Sequence, residues 1–146
     1  MGYTSYLDKV PTTHPQARWD MFVEAVKHVA SELPKDVVLK GWDGTGEPKF
    51  NENEIRFNGD GELSHETFSI DREGRGGFNF CKTAQKPYDL MVCATMNLYK
   101  HFFPEVEVSS DGDHEDWEPS IELVKEVTGL HLDWMKGIDE PVNEYA

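Results

Sequence analysis

Cys81 is a candidate nucleophile in the sequence. It lies in Phe80-Cys81-Lys82-Thr83, read as a strand end just ahead of a helix. A neighbouring ammonium group and a helix N-terminus both favour a thiolate. A nucleophile also needs a base, for which His65 and His114 are the candidates. No local signature of a cysteine hydrolase surrounds Cys81, so a structural thiol is the leading reading. The segment has a second use. Lys82, Thr83 and the backbone N–H groups of the helix start form a set that can hold an anion. Gly74-Arg75-Gly76-Gly77, just before it, adds a cation on backbone that can approach a ligand closely. Neither a Walker nor a Rossmann glycine pattern occurs.

Other constellations point less far. Asp111, Asp113, Glu115 and Glu122 fall at positions 1, 3, 5 and 12 of a calcium loop, but Asp116 stands where the sixth-position glycine is required. No pair of Cys or His has zinc-ligand spacing. No metal and no cofactor is therefore expected. Asp43-Gly44-Thr45-Gly46-Glu47-Pro48 is a turn-rich loop whose Asp43 and Thr45 can rim a polar surface. His65 and Glu66 alternate to opposite sides of a strand, which argues against a direct acid–base pair.

The elements that must position these residues follow from periodicity. Thr13 and Gln16 have capping-box spacing, with Pro15 in the first turn. Trp19, Phe22, Val23, Val26, Ala30 and Leu33 then mark the apolar face of a helix ending at Pro34. Val37 to Lys40, Glu54 to Asn58, His65 to Ile70 and Gly77 to Cys81 read as consecutive strands, and Asn58-Gly59-Asp60-Gly61 and Glu73 to Gly77 as turns. A second helix opens at Lys86-Pro87. It is apolar over much of its circumference and should be the most buried. Val106 and Val108 belong to a further strand. A third helix starts at Asp116 or Glu118 and stops at Gly129. Tyr3 to Leu7 reads as an edge strand. The order β-α-β-β-β-β-α-β-α predicts an α+β fold, with an antiparallel-rich sheet of four to six strands and about three helices on one face. Residues 1–146 form one domain of ordinary size, with a tail after about residue 139.

Alternation sorts this sheet. Ile55, Phe57, Phe68, Ile70, Phe78, Phe80, Val106 and Val108 should lie under the helices. Arg56, Asn58, His65, Thr67, Asn79, Cys81, Glu107 and Ser109 should face outward. That outer face is rich in donors and acceptors and reads either as a solvated surface or as a concave ligand platform.

Charge restricts partners. The net charge is −14, which disfavours direct binding to nucleic acid and to anionic membranes. Residues 104–146 hold thirteen acidic side chains against Lys125 and Lys136. Residues 72–86 run the other way, with Arg72, Arg75, Lys82 and Lys86 against Glu73 alone. No apolar leader core and no run of about 20 apolar residues is present, so a cytoplasmic chain with reduced thiols is expected.

Several motifs together, Met1-Gly2-Tyr3-Thr4, Gly41-Trp42-Asp43-Gly44-Thr45-Gly46-Glu47-Pro48, Ile55-Arg56-Phe57-Asn58-Gly59, His65-Glu66-Thr67-Phe68, Phe80-Cys81-Lys82-Thr83, Pro87-Tyr88-Asp89-Leu90 and Ser109-Ser110-Asp111-Gly112, carry a resemblance. From residue 1 to about 128 the chain resembles a family of small proteins encoded by bacteriophages, prophages and some bacteria, which open Met-Gly-Tyr-Thr-His-Tyr-Trp. Here Ser5 replaces the family's His and Leu7 its Trp. The departure at Ser5 shifts weight from an enzyme toward a binding protein. The resemblance implies an anti-defence role in a host cytoplasm.

The sequence thus predicts a binding protein that sequesters a phosphorylated or nucleotide ligand, such as a bacterial immune signal. Its expected ligand contacts are Arg56, Asn58, His65, Thr67, Arg75, Asn79, Cys81, Lys82, Thr83 and Asp43. Two alternatives stand beside it: an acidic protein-interaction inhibitor or DNA mimic acting on a host defence protein, and a hydrolase of a nucleotide signal. A homo-oligomer is compatible with each.

Overall fold

The computed structural model describes residues 4–74, 76–112 and 114–130, with Phe78 and His114 described in their backbone only. Six strands and three helices follow in the order β1 (Thr4–Val10), α1 (Gln16–Ser31), β2 (Lys49–Phe50), β3 (Glu54–Phe57), β4 (Phe68–Asp71), β5 (Gly77–Lys82), α2 (Asp89–Phe102), β6 (Glu107–Ser110) and α3 (His114–Thr128). Two short 3-10 turns, Trp42–Gly44 and Gly61–Leu63, lie in the connections. The α+β class is that expected, and the order of strands and helices matches, except that its second strand is Lys49–Phe50, which was not expected, in place of Val37 to Lys40.

The helices form where apolar spacing demands them. α1 buries Trp19, Phe22, Val23, Val26 and Val29, one face at three- and four-residue steps. α2 is buried at every position from Met91 to Tyr99, since α1 and α3 both pack on it. Burial of each large apolar side chain stabilises by about 1.5–3 kcal/mol. α3 ends at Gly129, whose φ of +80° lets its N–H close onto the Lys125 carbonyl at 2.9 Å. One core cluster draws on both sheets and all three helices.

The structure departs from expectation in five ways, three of them in the strands. The single meander is two antiparallel three-stranded sheets, ordered β5-β1-β6 and β2-β3-β4. β1 is not an edge strand: it pairs with β5 on one side and β6 on the other. Val37 to Lys40 is not a strand; only Lys40 bridges, to Asn58. The Thr13 cap is absent, because Thr13 bridges Glu73 instead and Pro15 takes the N-cap position without a side-chain bond. α3 also starts earlier than expected, at His114, leaving Pro119 inside it. The tail after about residue 139, and Tyr3 at the expected strand start, lie outside the described residues.

Register explains which face of β5 turns inward. Leu7 is 1% exposed and stands opposite Asn79, and the fully buried Ser5 stands opposite Cys81. Paired residues share a face, so Cys81 enters the core while Phe80, opposite Tyr6, turns out and is 51% exposed. The expectation of Phe80 inside and Cys81 outside is therefore reversed. In β3 and β4 the expected parity holds: Ile55, Phe57, Phe68 and Ile70 are buried, while Arg56 and Ser69 stand opposite each other on the other face.

Candidate functional site: a cleft between two sheet edges

β4 and β5 are consecutive in sequence, but each is an edge strand of a different sheet. They touch at one end. The Glu66 N–H donates to the Lys82 carbonyl at 3.1 Å, and the Lys82 N–H donates to Glu66 Oε1 at 2.7 Å. At the other end the connecting loop is tied to the segment after β1, through Gly74 N–H to the Thr12 carbonyl and His14 N–H to the Arg72 carbonyl. Between these ties lies a cleft of about 390 Å³, within the range of roughly 300–1,000 Å³ that small-molecule pockets occupy. Thr67, Ser69 and Asp71 line one wall, Asn79 and Phe80 the other, and Leu7 and Met96 contribute apolar surface. The Asn79 amide spans the gap, donating to the Ser69 carbonyl at 3.4 Å, while its oxygen accepts the Phe80 N–H at 2.9 Å.

Two of the expected ligand residues, Thr67 and Asn79, meet at this cleft. Asp43 is tied to its rim, because the Asp43 N–H donates to Thr67 Oγ1 at 3.2 Å. Asn58 is the organiser beneath them and is itself fully buried. Its amide donates to the His65 carbonyl (2.9 Å) and to Thr67 Oγ1 (3.1 Å), and its oxygen accepts from Gly59 N–H (2.7 Å) and His65 N–H (3.0 Å). A side chain with all four of these bonds is structural. His65 projects to solvent. Arg56 stands away from the cleft lining and bonds Glu54 at 3.1 Å.

The segment around Cys81 divides into buried and exposed members. Cys81 is 2% exposed, and burial, reinforced by the charges of Glu66 and Asp89, pushes its thiol up to about 12. A thiol so shifted stays protonated at neutral pH and is a poor nucleophile. Cys93 is likewise free and pushed up by burial. Thr83 is fully buried, and its hydroxyl donates to Asp89 Oδ1 at 2.6 Å. Burial raises the Asp89 carboxyl, and the Thr83 bond opposes the shift. The N–H groups at the start of α2 are already taken: Asp89 bonds the Lys86 carbonyl, Leu90 that of Pro87 and Met91 that of Tyr88. Cys81 and Thr83 are thus closed to a ligand by their burial.

Of the basic segment, Arg72 serves the fold: it donates to the His14 carbonyl at 3.0 Å and pairs with Glu73 at 3.5 Å. Lys82 is exposed and has no ion pair among the described residues. Arg75 lies outside the described residues; its neighbours Gly74 and Gly76 line the cleft. The side chain of His114 and all of Asp113 also lie outside the description. Asp111, from the acidic loop, accepts from Thr4 N–H and Tyr6 Oη, both at 3.0 Å.

Phe80 and Ser69 were not foreseen at the site. Their signal is non-local: it depends on β5 pairing with β1 and on β4 being left at a sheet edge. No helix among the described residues is long and apolar enough to cross a membrane. Comparison with protein-family models, with curated protein sequences and with solved structures finds no match to this chain.

Proposed function

We propose that the chain is a binding protein that sequesters a nucleotide or related phosphorylated small molecule in the cleft between β4 and β5. The observation that carries this reading is the pairing of a half-exposed Phe80 ring with the Asn79 amide and the Thr67 and Ser69 hydroxyls along one cleft. A flat aromatic beside an amide suits a base, which stacks on such a ring for about 1–3 kcal/mol and offers donors and acceptors at its edge. A phosphate has fewer choices. At a net charge of −14 most of the surface repels it, and screening sets in only beyond about 8 Å. Lys82, two residues along the same edge from Phe80, is the exposed cation nearest in sequence to the β5 wall, and Arg75 is flanked by cleft-lining glycines. The resemblance to phage-encoded proteins makes a bacterial immune nucleotide the first ligand to try.

Cys81, buried and protonated, supports binding over thiol-based hydrolysis. The test is incubation with a nucleotide panel, followed by denaturation and chromatography of what is released. Intact ligand supports sequestration and cleaved ligand supports a hydrolase. Calorimetry with the retained nucleotide should show Phe80→Ala and Lys82→Glu each weakened ten-fold or more, about 1.4 kcal/mol, with Lys125→Glu unchanged. Retention of no nucleotide, or equal affinity for wild type and Phe80→Ala, overturns the reading.

A further inference from the structure

Beyond the cleft, two loops build a second surface. The segment 41–47 carries the Trp42–Gly44 turn and the segment 59–64 carries the Gly61–Leu63 turn. Trp42 is 68% exposed and Leu63 47%. Scattered apolar residues need no explanation, but these two stand on turns that contact each other. The turns are packed together: a Cβ on Gly44 would lie 2.8 Å from Ser64 Oγ and 3.3 Å from the Gly61 backbone nitrogen. The backbone is also held. Asp43 sits at φ 59° with its N–H on Thr67 Oγ1, Thr45 Oγ1 donates to the Trp42 carbonyl, and Ser64 Oγ donates to that of Gly61. Trp42 is therefore presented on backbone that is already ordered, so binding there loses little loop entropy.

The charges within these two segments have one sign. Asp43, Glu47, Asp60 and Glu62 all lie in these two segments, all are exposed, and none has an ion-pair partner among the described residues. Neither segment contains a Lys or Arg, and Lys40 is the nearest along the chain. An exposed indole face attracts cations, arginine above all, and adjacent carboxylates accept guanidinium hydrogen bonds in pairs. Anionic or purely apolar partners are disfavoured by the same field.

We infer that the Trp42–Leu63 surface docks an arginine-bearing segment of a partner protein, with Trp42 stacking on a guanidinium and Asp43, Asp60 and Glu62 pairing with its cationic neighbours. This interaction does not depend on the nucleotide reading: Asp43 borders the cleft through Thr67, but none of the docking side chains lines its walls.

The probe is a synthetic peptide of alternating arginine and serine, titrated into 15N-labelled protein at physiological ionic strength. The Trp42 indole N–H signal, assigned with Trp42→Phe, should shift saturably. Trp42→Ala and the triple variant Asp43→Asn, Asp60→Asn, Glu62→Gln should each weaken binding ten-fold or more. Neutralising the same number of exposed carboxylates on α3, with Glu118→Gln, Glu122→Gln and Glu126→Gln, should weaken it about two-fold or less, and Lys82→Glu should not weaken it. Leu63→Ser provides a second apolar truncation, and circular dichroism checks that each variant is folded. An unmoved Trp42 signal, or equal loss on neutralising α3, overturns the proposal, since binding would then be absent or merely follow net charge.

Discussion

Glu66 and Lys82 are joined twice, backbone N–H to carbonyl at 3.1 Å and side-chain carboxylate to backbone N–H at 2.7 Å. This clasp closes one end of the gap between two sheets that otherwise turn separate edges to each other. It replaces the continuous ladder that consecutive strands of a meander would have formed.

Removing the side-chain half of the clasp should loosen the junction without unfolding the protein. Glu66→Ala is expected to lower stability by about 1–2 kcal/mol, the range for a hydrogen bond to a charged acceptor that is partly solvated. Glu66→Gln keeps an acceptor oxygen and should lose less than half of that. Urea denaturation of the two variants checks the order; an Ala variant as stable as wild type would show that the bond contributes nothing.

Asn58 should be the least replaceable of the polar residues near the cleft. It is fully buried and makes four bonds that hold the 58–67 connection. Asn58→Ala leaves buried donors and acceptors unpaired, at about 1–3 kcal/mol each, and is expected to cost about 3 kcal/mol in total. Asn58→Asp should be at least as damaging, because a carboxylate cannot donate to the His65 carbonyl. Equilibrium unfolding measures both.

The two thiols should be inert in the folded protein and both present when it is denatured. Cys81 and Cys93 are free and buried, with burial raising both. Titration with a thiol-specific chromophore at pH 8 is expected to be slow in native buffer, and to give two thiols per chain in denaturant without reductant. Rapid native labelling would mean that β5 opens readily.

Acid should weaken the fold through His14. Its Nδ1 lies 2.7 Å from the Arg72 carbonyl and so carries a proton; its Nε2 accepts from the Tyr99 hydroxyl at 2.6 Å. The ring is fully buried among Trp19, Tyr99 and Phe103, and burial lowers its pKa below the ordinary 6.5. The unfolded chain then binds a proton more readily than the folded one. Stability from this group is complete above about pH 6.5 and is lost as pH falls below it. His101 is shifted the same way by burial, whereas the raised Asp89 acts in the opposite sense at lower pH. Denaturation midpoints between pH 7.5 and 5 should fall in wild type and fall less steeply in His14→Gln. Parallel slopes would assign the acid sensitivity elsewhere.

Local pattern was sufficient for the presence of the three helices, though not for where they begin. The Trp19 to Val29 spacing, the nearly all-round apolar Met91 to Tyr99 and the glycine at 129 each specify a helix or its end from neighbours within a few residues, because helical contacts are themselves local. The parity of β3 and β4 was legible for the same reason, since Ile55, Phe57, Phe68 and Ile70 alternate with polar residues. Phe78-Asn79-Phe80-Cys81 was not: both parities place apolar atoms inward, and the choice fell to β1, whose Leu7 and Ser5 turn Asn79 and Cys81 to their own side. The same long-range pairing made β1 a central strand, split the expected sheet in two, and left β4 and β5 as facing edges. A strand's partner lies tens of residues away, and no property of the strand itself names that partner. The cleft, with Phe80 on its wall, therefore exists only in the folded chain, although Thr67 and Asn79 could be named before it.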